Sequence, residues 1–306
     1  MITVIIPTYK RPAMLKRALT SVFEQHAFEE VDSILVSDSS PEGEGREVCE
    51  NLASRAAIKY VQRDGNLSAH EHGRLIFKEH RAFCRSKLTA ILHDDDWWRP
   101  AHLANAVNAF EGVKGASFYC GSHFEVRGES SMLNVWSNVC PWFASGYPSN
   151  DAMWVMKDDS MLIASVMGGV CHYSSMVIDT LFLKYVSETL EDDRAVLDSD
   201  RWLQFKLSRL GPVVYCPIPE VFIRQHPGRD NVANFTKERR EELYKQTTRW
   251  IMEQSKHDPG ALVLAMANQM KAAHDEEKPT LRAVLMQPWS VPLLAEMSNT
   301  HINIGN

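Results

Sequence analysis

Residues 88–100 read Leu-Thr-Ala-Ile-Leu-His-Asp-Asp-Asp-Trp-Trp-Arg-Pro, and this stretch decides the fold. The run Leu88 to Leu92 is apolar and bounded, the length of a buried strand rather than of a helix. It gives way at once to His93, Asp94, Asp95 and Asp96. A charged tail on a buried strand belongs where that strand leaves a sheet, and open α/β sheets bind ligands beyond the carboxyl ends of their strands. Three adjacent carboxylates repel one another unless a cation lies among them, and a divalent ion that favours oxygen suits them. The plainer reading makes one Asp a helix cap and leaves the others solvated.

Outward from this stretch the same cycle recurs. Thr3 to Pro7 is a β-branched run closed by proline, and Pro12 opens a helical pattern through Leu15, Ala18, Leu19, Val22 and Phe23. Ser33 to Ser37 forms a strand ending at Asp38, followed by an expected helix from Glu42 to Ala57. Ile58 to Gln62 and Ser68 to Phe83 supply the next strand and helix. Alternation at this spacing predicts an α/β fold with a parallel sheet covered on both faces. The ligand-facing positions are then Thr8, Tyr9, Asp38, Asn66 and Asp94 to Asp96. Asp38 alone is weak, since Asp is a common turn residue.

Beyond Gly115 the pattern loosens into short strand-like pieces and aromatic-rich loops carrying Trp136, Trp142, Phe143, Tyr147 and Trp154. These aromatics read as core or as a wall that stacks on a sugar, core being the default. One clear helix spans about 199–210, a loop with Pro and Gly covers 211–229, and the chain beyond Phe235 is helical in pattern, with Leu243, Thr247, Trp250 and Ile251 at helical spacing, then 261–273, then 281–297 interrupted by Pro288 and Pro292. The domain reading is therefore residues 1–235 as one α/β unit, with a nucleotide-side half (1–120) and an acceptor-side half (121–235), followed by a helical extension, 236–306.

The 306 residues carry Lys+Arg 33 against Asp+Glu 39, a net charge of −6. That balance argues against nucleic acid as a partner, because phosphate-backbone binding runs on many Lys and Arg. Hydrophobic residues at 44% exclude general disorder. The cysteines (Cys49, Cys84, Cys120, Cys140, Cys171, Cys216) show no paired spacing, which excludes a zinc ribbon or a disulfide framework. With no secretory pattern at the start and no apolar run of membrane-spanning length, the expectation is a cytoplasmic protein, open to contact with the inner face of a membrane.

Several motifs together resemble glycosyltransferase family 2, the inverting transferases of the GT-A fold. They are Val4-Ile5-Ile6-Pro7-Thr8-Tyr9-Lys10-Arg11-Pro12; Ile34 to Ser40; His93 to Pro100; Ser174-Ser175-Met176-Val177; Asp198 to Gly211; and Arg224-Gln225-His226-Pro227-Gly228. Their joint occurrence in order is more specific than any one of them. The resemblance implies a UDP-sugar donor, a carbohydrate or glycolipid acceptor, and polysaccharide or glycolipid assembly as the setting. It implies donor contacts from Pro7, Thr8, Tyr9, Arg11, Asp38, Asn66, His93, Asp94, Arg224 and Arg229. It further implies Mn2+ or Mg2+ held by Asp95 and His226. His93 departs from the family pattern by standing where an Asp is common, so the ribose-side contact falls to His93 or Asp94.

For the catalytic base, the resemblance puts Asp200 in position, with Ser199 where a Glu usually precedes it and Asp198 as competitor. Without the resemblance Asp200 is an ordinary carboxylate favoured at a helix N-terminus. His226 is either a metal or phosphate contact or a plain loop residue. Arg224 and Arg229 have the fork geometry that clamps phosphate oxygens. His70 and His72 do not share a helix face and are not a metal pair. Glu191 to Asp193 read as a solvated loop. The stretch from Leu281 to Leu294 is a candidate for homodimer or peripheral membrane contact, an ordinary packed helix being the plainer reading.

The competing functions are a GT-A module that binds nucleotide or glycan without transfer, suggested by His93 and Ser199 replacing acids, and a nucleotidyltransferase or nicotinamide dehydrogenase. The last two need a Gly-rich phosphate loop that neither Pro7 to Arg11 nor Gly43-x-Gly45 supplies.

Overall fold

The computed structural model describes residues 1–64, 67, 69–133, 144–146, 153–156, 158–167, 171–188, 199–228, 236–256, 258–262, 293 and 297. Its first half follows the alternation. The strands are β1 (Ile2–Thr8), β2 (Val31–Asp38), β3 (Ile58–Gln62) and β4 (Leu88–Ile91), and the helices between them are α1 (Pro12–Phe23), α2 (Arg46–Leu52) and α3 (Ala69–Phe83). After β4 come the short β5 (Trp97–Trp98), α4 (His102–Gly112), β6 (Phe118–Arg127), β7 (Ser130–Leu133), β8 (Ala144–Gly146) and β9 (Trp154–Met156). The chain continues through α5 (Asp158–Met167), a 3₁₀ turn at Tyr173–Ser175, β10 (Val177–Asp179), α6 (Thr180–Glu188), α7 (Ser199–Ser208), β11 (Val213–Arg224) and α8 (Lys237–Ser255).

Among the described residues the sheet runs β3-β2-β1-β4-β10-β6-β11-β9-β8, with β5 pairing β11 and β7 pairing β6. Its first four strands are mutually parallel, and β6 and β11 form a second parallel pair. β10 lies antiparallel to both β4 and β6, which corrects the expectation of a parallel sheet throughout. Side chains alternate across β1 as the pleat requires. Ile2, Val4 and Ile6 pack with Leu15, Leu19 and Leu103 on one face, while Ile5 packs with Leu35 and Ile76 of α3 on the other. On the second half a core of Phe118, Cys120, Ile163, Leu203 and Tyr215 is closed by Ile251 and Met252 of α8, with Leu262 and the partly buried Met297. The helical extension is thus part of the core. The rest of the expected helices at 261–273 and 281–297 lies outside the described residues.

Two further expectations change. The helix expected from Glu42 to Ala57 is confined to α2, because Gly43 adopts a left-handed φ of +65° and the Gly45 N–H is drawn 2.9 Å from Asp38 Oδ2, holding 41–45 in turns. The loop expected at 211–229 is instead β11, a long strand between β6 and β9. Pro217 and Pro219 hid it, since proline cannot serve a central ladder. Here the ladder with β6 shifts register between Cys216 and Val221, and both prolines sit in that irregularity.

Candidate active site

Register builds the site. Thr8 pairs with Asp38 at the ends of β1 and β2, and Ile5 pairs with Ile91 of β4, so the carboxylates three to five residues past Ile91 rise beside Thr8. Thr8 Oγ1 donates to Asp94 Oδ2 at 2.8 Å and the Tyr9 N–H to the same oxygen at 3.3 Å. Arg11 Nη1 lies 3.1 Å from both Asp94 Oδ1 and Asp95 Oδ2, and its Nη2 donates to the Gly228 carbonyl. His226 Nε2 is 3.0 Å from Asp95 Oδ2. Residues from both ends of the domain therefore meet at two neighbouring carboxylates.

Burial, then the charge of Asp95, push the Asp94 carboxyl up from its ordinary value, against the pull of Arg11, Thr8 and the Tyr9 N–H. The stretch is short of positive charge, which is the condition a divalent cation relieves. Asp95 and His226, one hard oxygen and one imidazole at hydrogen-bond distance, form a donor pair that fits Mn2+ or Mg2+.

Asp96 turns elsewhere. Its Oδ1 accepts from the Arg224 backbone N–H at 3.0 Å and its Oδ2 from Ser174 Oγ at 2.6 Å. Ser174 Oγ also receives the His93 N–H at 3.0 Å, and its carbonyl receives the Trp98 indole at 2.5 Å. The 3₁₀ turn is in this way fastened to the acidic loop.

Pro7 is on β1, and Tyr9 is exposed at the mouth beside Lys10. Lys10 has a left-handed φ of 54°, and its N–H is held 2.7 Å from Ser40 Oγ. Asp38 is fully buried, with both oxygens engaged inside the protein: Oδ1 by the Ser40 N–H at 2.8 Å and the Ser40 hydroxyl, Oδ2 by the Gly45 N–H and by Tyr60 Oη at 2.8 Å. It shapes the loop that faces Lys10. Arg224 Nε points to the Asp95 carbonyl at 3.3 Å and its guanidinium lies 5.0 Å over Trp97.

Asp200 is half-buried in the first turn of α7, a helix that packs on α5, α6 and α8, while its neighbour Arg201 is fully buried. Trp154 is core, stacked on Tyr215. Asn66, Asp198, Arg229, the acidic run 191–193 and the other loop aromatics lie outside the described residues. His72, set aside as a metal ligand, is buried between Ser37 Oγ (2.8 Å) and Ser39 Oγ (3.2 Å). Sequence reasoning missed His172, whose one signal was its position two residues ahead of Ser174-Ser175, and it grouped Asp96 with Asp94 and Asp95 although Asp96 turns to other partners. Among the described residues no helix is long and apolar enough to cross a membrane.

The family model for "Glycosyl transferase family 2" matches residues 3–153. Staphylococcus aureus TarS 1–349, solved with UDP-GlcNAc, superposes with a TM-score of 0.61 at 12% identity, over 95% of this chain and 82% of that one. The mannosyltransferase PcManGT from Pyrobaculum calidifontis, solved with GDP-Man and Mn2+, gives 0.55 at 16% identity, over 97% and 73%. At these identities the likeness is one of fold, the GT-A arrangement. No curated protein matches the chain by sequence.

Proposed function

Proceeding from residues 3–153 as a glycosyl transferase family 2 domain, we propose that this glycosyltransferase moves a sugar from a UDP-sugar to a hydroxyl of a carbohydrate or glycolipid acceptor, with inversion and with the help of Mn2+ or Mg2+. The observation that carries the proposal is the convergence of Thr8, Arg11 and His226 on Asp94 and Asp95 beyond β1 and β4. The two neighbours named above were solved with a UDP-sugar and a GDP-sugar.

The roles follow from what each group offers. Tyr9 and the loop held by Asp38 receive the base, and Asp94 or His93 the ribose. Asp95 and His226 would hold the cation, which when bound supplies neutralising charge to the leaving diphosphate. Arg11, Arg224 and Arg229 contribute positive charge along the same path. Asp200 removes the acceptor hydroxyl proton as that oxygen attacks the anomeric carbon from the face opposite the diphosphate. Ser199 cannot share this task, so the base is a single carboxylate, Asp200 or its competitor Asp198.

The test is a panel of UDP- and GDP-sugars with Mn2+, read first by thermal shift and then by nucleotide release with a saccharide acceptor. Stabilisation by UDP-sugars only with metal, and nucleotide release lost by about 10²-fold or more in folded Asp95→Ala and Asp200→Asn, are the expected results. Full release by Asp95→Ala in the presence of a chelator would sink the reading. A binding module without transfer is the second reading, favoured by Arg11 lying between Asp94 and Asp95 where positive charge is needed; measurable UDP-sugar hydrolysis counts against it.

A further inference from the structure

Three side chains with metal-binding atoms meet on the other side of the acidic loop, away from Asp95 and His226. One ligand atom each from His93, Asp96 and His172 lies within 4.8 Å of the others. Asp96 is buried and the two imidazoles are half-buried. The rings of His93 and His172 stand edge to face at 5.1 Å, and the His123 ring is 6.4 Å from that of His172. Three histidines and a carboxylate, from β6, the acidic loop and the 3₁₀ turn, thus gather in one place.

A second observation points to a cation. His172 Nδ1 directs its one in-plane lone pair at the Ser174 N–H across a long 3.2 Å, so a neutral ring carries its proton on Nε2 and a cation at Nδ1 would replace this weak bond. Asp96 Oδ2 stands 3.5 Å from the same nitrogen. An ion between them would take one electron pair from each, in exchange for the long Ser174 N–H bond. Asp96 is held from behind by the Arg224 N–H and the Ser174 hydroxyl, the backing by which ligands are oriented in metal sites.

We propose that His93, Asp96 and His172 form a second cation site, selective for a borderline transition-metal ion of the Zn2+ class. Two imidazoles and one carboxylate suit Zn2+, Co2+ or Cu2+ and are a poor match for Mg2+. Ligand bonds of about 2.0–2.2 Å require only small side-chain rotations from the spacing seen. The ion ties the 3₁₀ turn at Tyr173–Ser175 to the loop that carries Asp94 and Asp95, fixing the acceptor-side wall against the donor-side carboxylates. The proposal does not rest on the roles given to Asp95 and His226.

The test is titration of the full chain with CoCl2, followed by visible absorption, in wild type, His93→Ala, His172→Ala and Asp95→Ala. Asp95→Ala, which lacks the first cation site, should still show a nitrogen-ligated Co2+ spectrum at one ion per chain, present also in wild type, and displaced by ZnCl2 but not by MgCl2. Each His variant should bind Co2+ about tenfold or more weakly, with circular dichroism unchanged. Unchanged Co2+ affinity in both His variants overturns the proposal, and so does a spectrum that vanishes in Asp95→Ala and persists in the His variants. Should the His variants fail to fold, pulsed EPR of wild type with one equivalent of CuCl2 decides: coupling to two or more imidazole nitrogens supports the site, and coupling to one or none overturns it.

Discussion

Arg11 and Asp95 meet across 84 residues of sequence, with Nη1 3.1 Å from Oδ2. The same nitrogen also reaches Asp94, so a single guanidinium offsets two carboxylates that burial would otherwise set against each other. If Asp95 is also a metal ligand, Arg11 and the cation compete for it in the empty enzyme, yet both attract the donor diphosphate. Arg11→Ala should therefore shift two affinities in opposite directions. Mn2+ alone should bind about tenfold more tightly, and UDP-sugar in saturating Mn2+ about tenfold more weakly, a fraction of the Coulomb energy between close charges near a surface. Calorimetric titration reads both. Weaker Mn2+ binding by the variant would show that Arg11 supports the cation rather than standing in for it.

Gly45 is required by the loop beyond β2. A Cβ at this position would sit 2.8 Å from Asp38 Oδ2 and 3.0 Å from Leu15 Cδ2. Leu15 is locked in the core and Asp38 is held by four donors, so neither gives way freely. Gly45→Ala should lower stability by about 1–3 kcal/mol, the usual cost of overpacking, and weaken nucleotide binding beyond what the melting shift explains. Tyr60→Phe removes one of the four donors without adding bulk and should cost about 1 kcal/mol. Thermal melts with and without UDP separate the two effects; an unchanged melt for Gly45→Ala would mean that the loop is looser than its hydrogen bonds imply.

His72 sets an acid limit on the same region. Burial first, and then the neighbouring Arg63 guanidinium, push its pKa down to about 4 from 6.5, against an opposing pull from Asp38. Arg63 Nε donates to Ser37 Oγ, so the Ser37 proton goes to His72 Nε2 and the ring is held neutral. A folded pKa below the unfolded one means that the unfolded chain takes up the proton first. The stabilising contribution is therefore complete above about pH 6.5 and is lost progressively as pH falls towards 4, by ~3 kcal/mol in all. The difference in urea stability between wild type and His72→Gln, measured from pH 7.5 to 4.5, should shrink in that window. A flat difference would rule the switch out.

Where the sequence was legible, each element carried its own signal. β1 to β4 are short apolar runs between amphipathic helices, and the acidic tail of β4 fell where an open sheet binds ligands. Thr8, Asp94 and Asp95 are legible because they follow the strands of an open sheet, whereas Arg11 and His226 rest on the family resemblance alone. What stayed hidden depended on long-range pairing. β11 was masked by Pro217 and Pro219 until β6 supplied the register shift that accommodates them. The direction of β10 is not written in three residues. Sequence shows that Asp96 adjoins Asp94 and Asp95 but not that it alone turns away, Asp94 and Asp95 facing Arg11 while Asp96 faces Ser174 and His172.

Arg201 provides the last test, of how far the helical extension is part of the enzyme. Fully buried beside Asp200, it sends Nε to the Ser165 carbonyl at 2.6 Å, Nη2 to the Val166 carbonyl at 3.1 Å and to Thr248 Oγ1 at 2.5 Å, and Nη1 to the Tyr244 carbonyl at 3.0 Å. One planar group thus joins α7 to α5 and α8 through acceptors that have no water to turn to. Arg201→Met keeps the bulk but strands those acceptors, and should cost ~3 kcal/mol. Arg201→Lys should rescue little, since an ammonium cannot reproduce the fork that spans two helices. A chain ending at residue 235 loses two of the four acceptors together with Ile251 and Met252 of the core, and should unfold at lower temperature than Arg201→Met. Should the truncated chain melt like wild type, α8 would be an appendage and Arg201 would owe its burial to α5 alone.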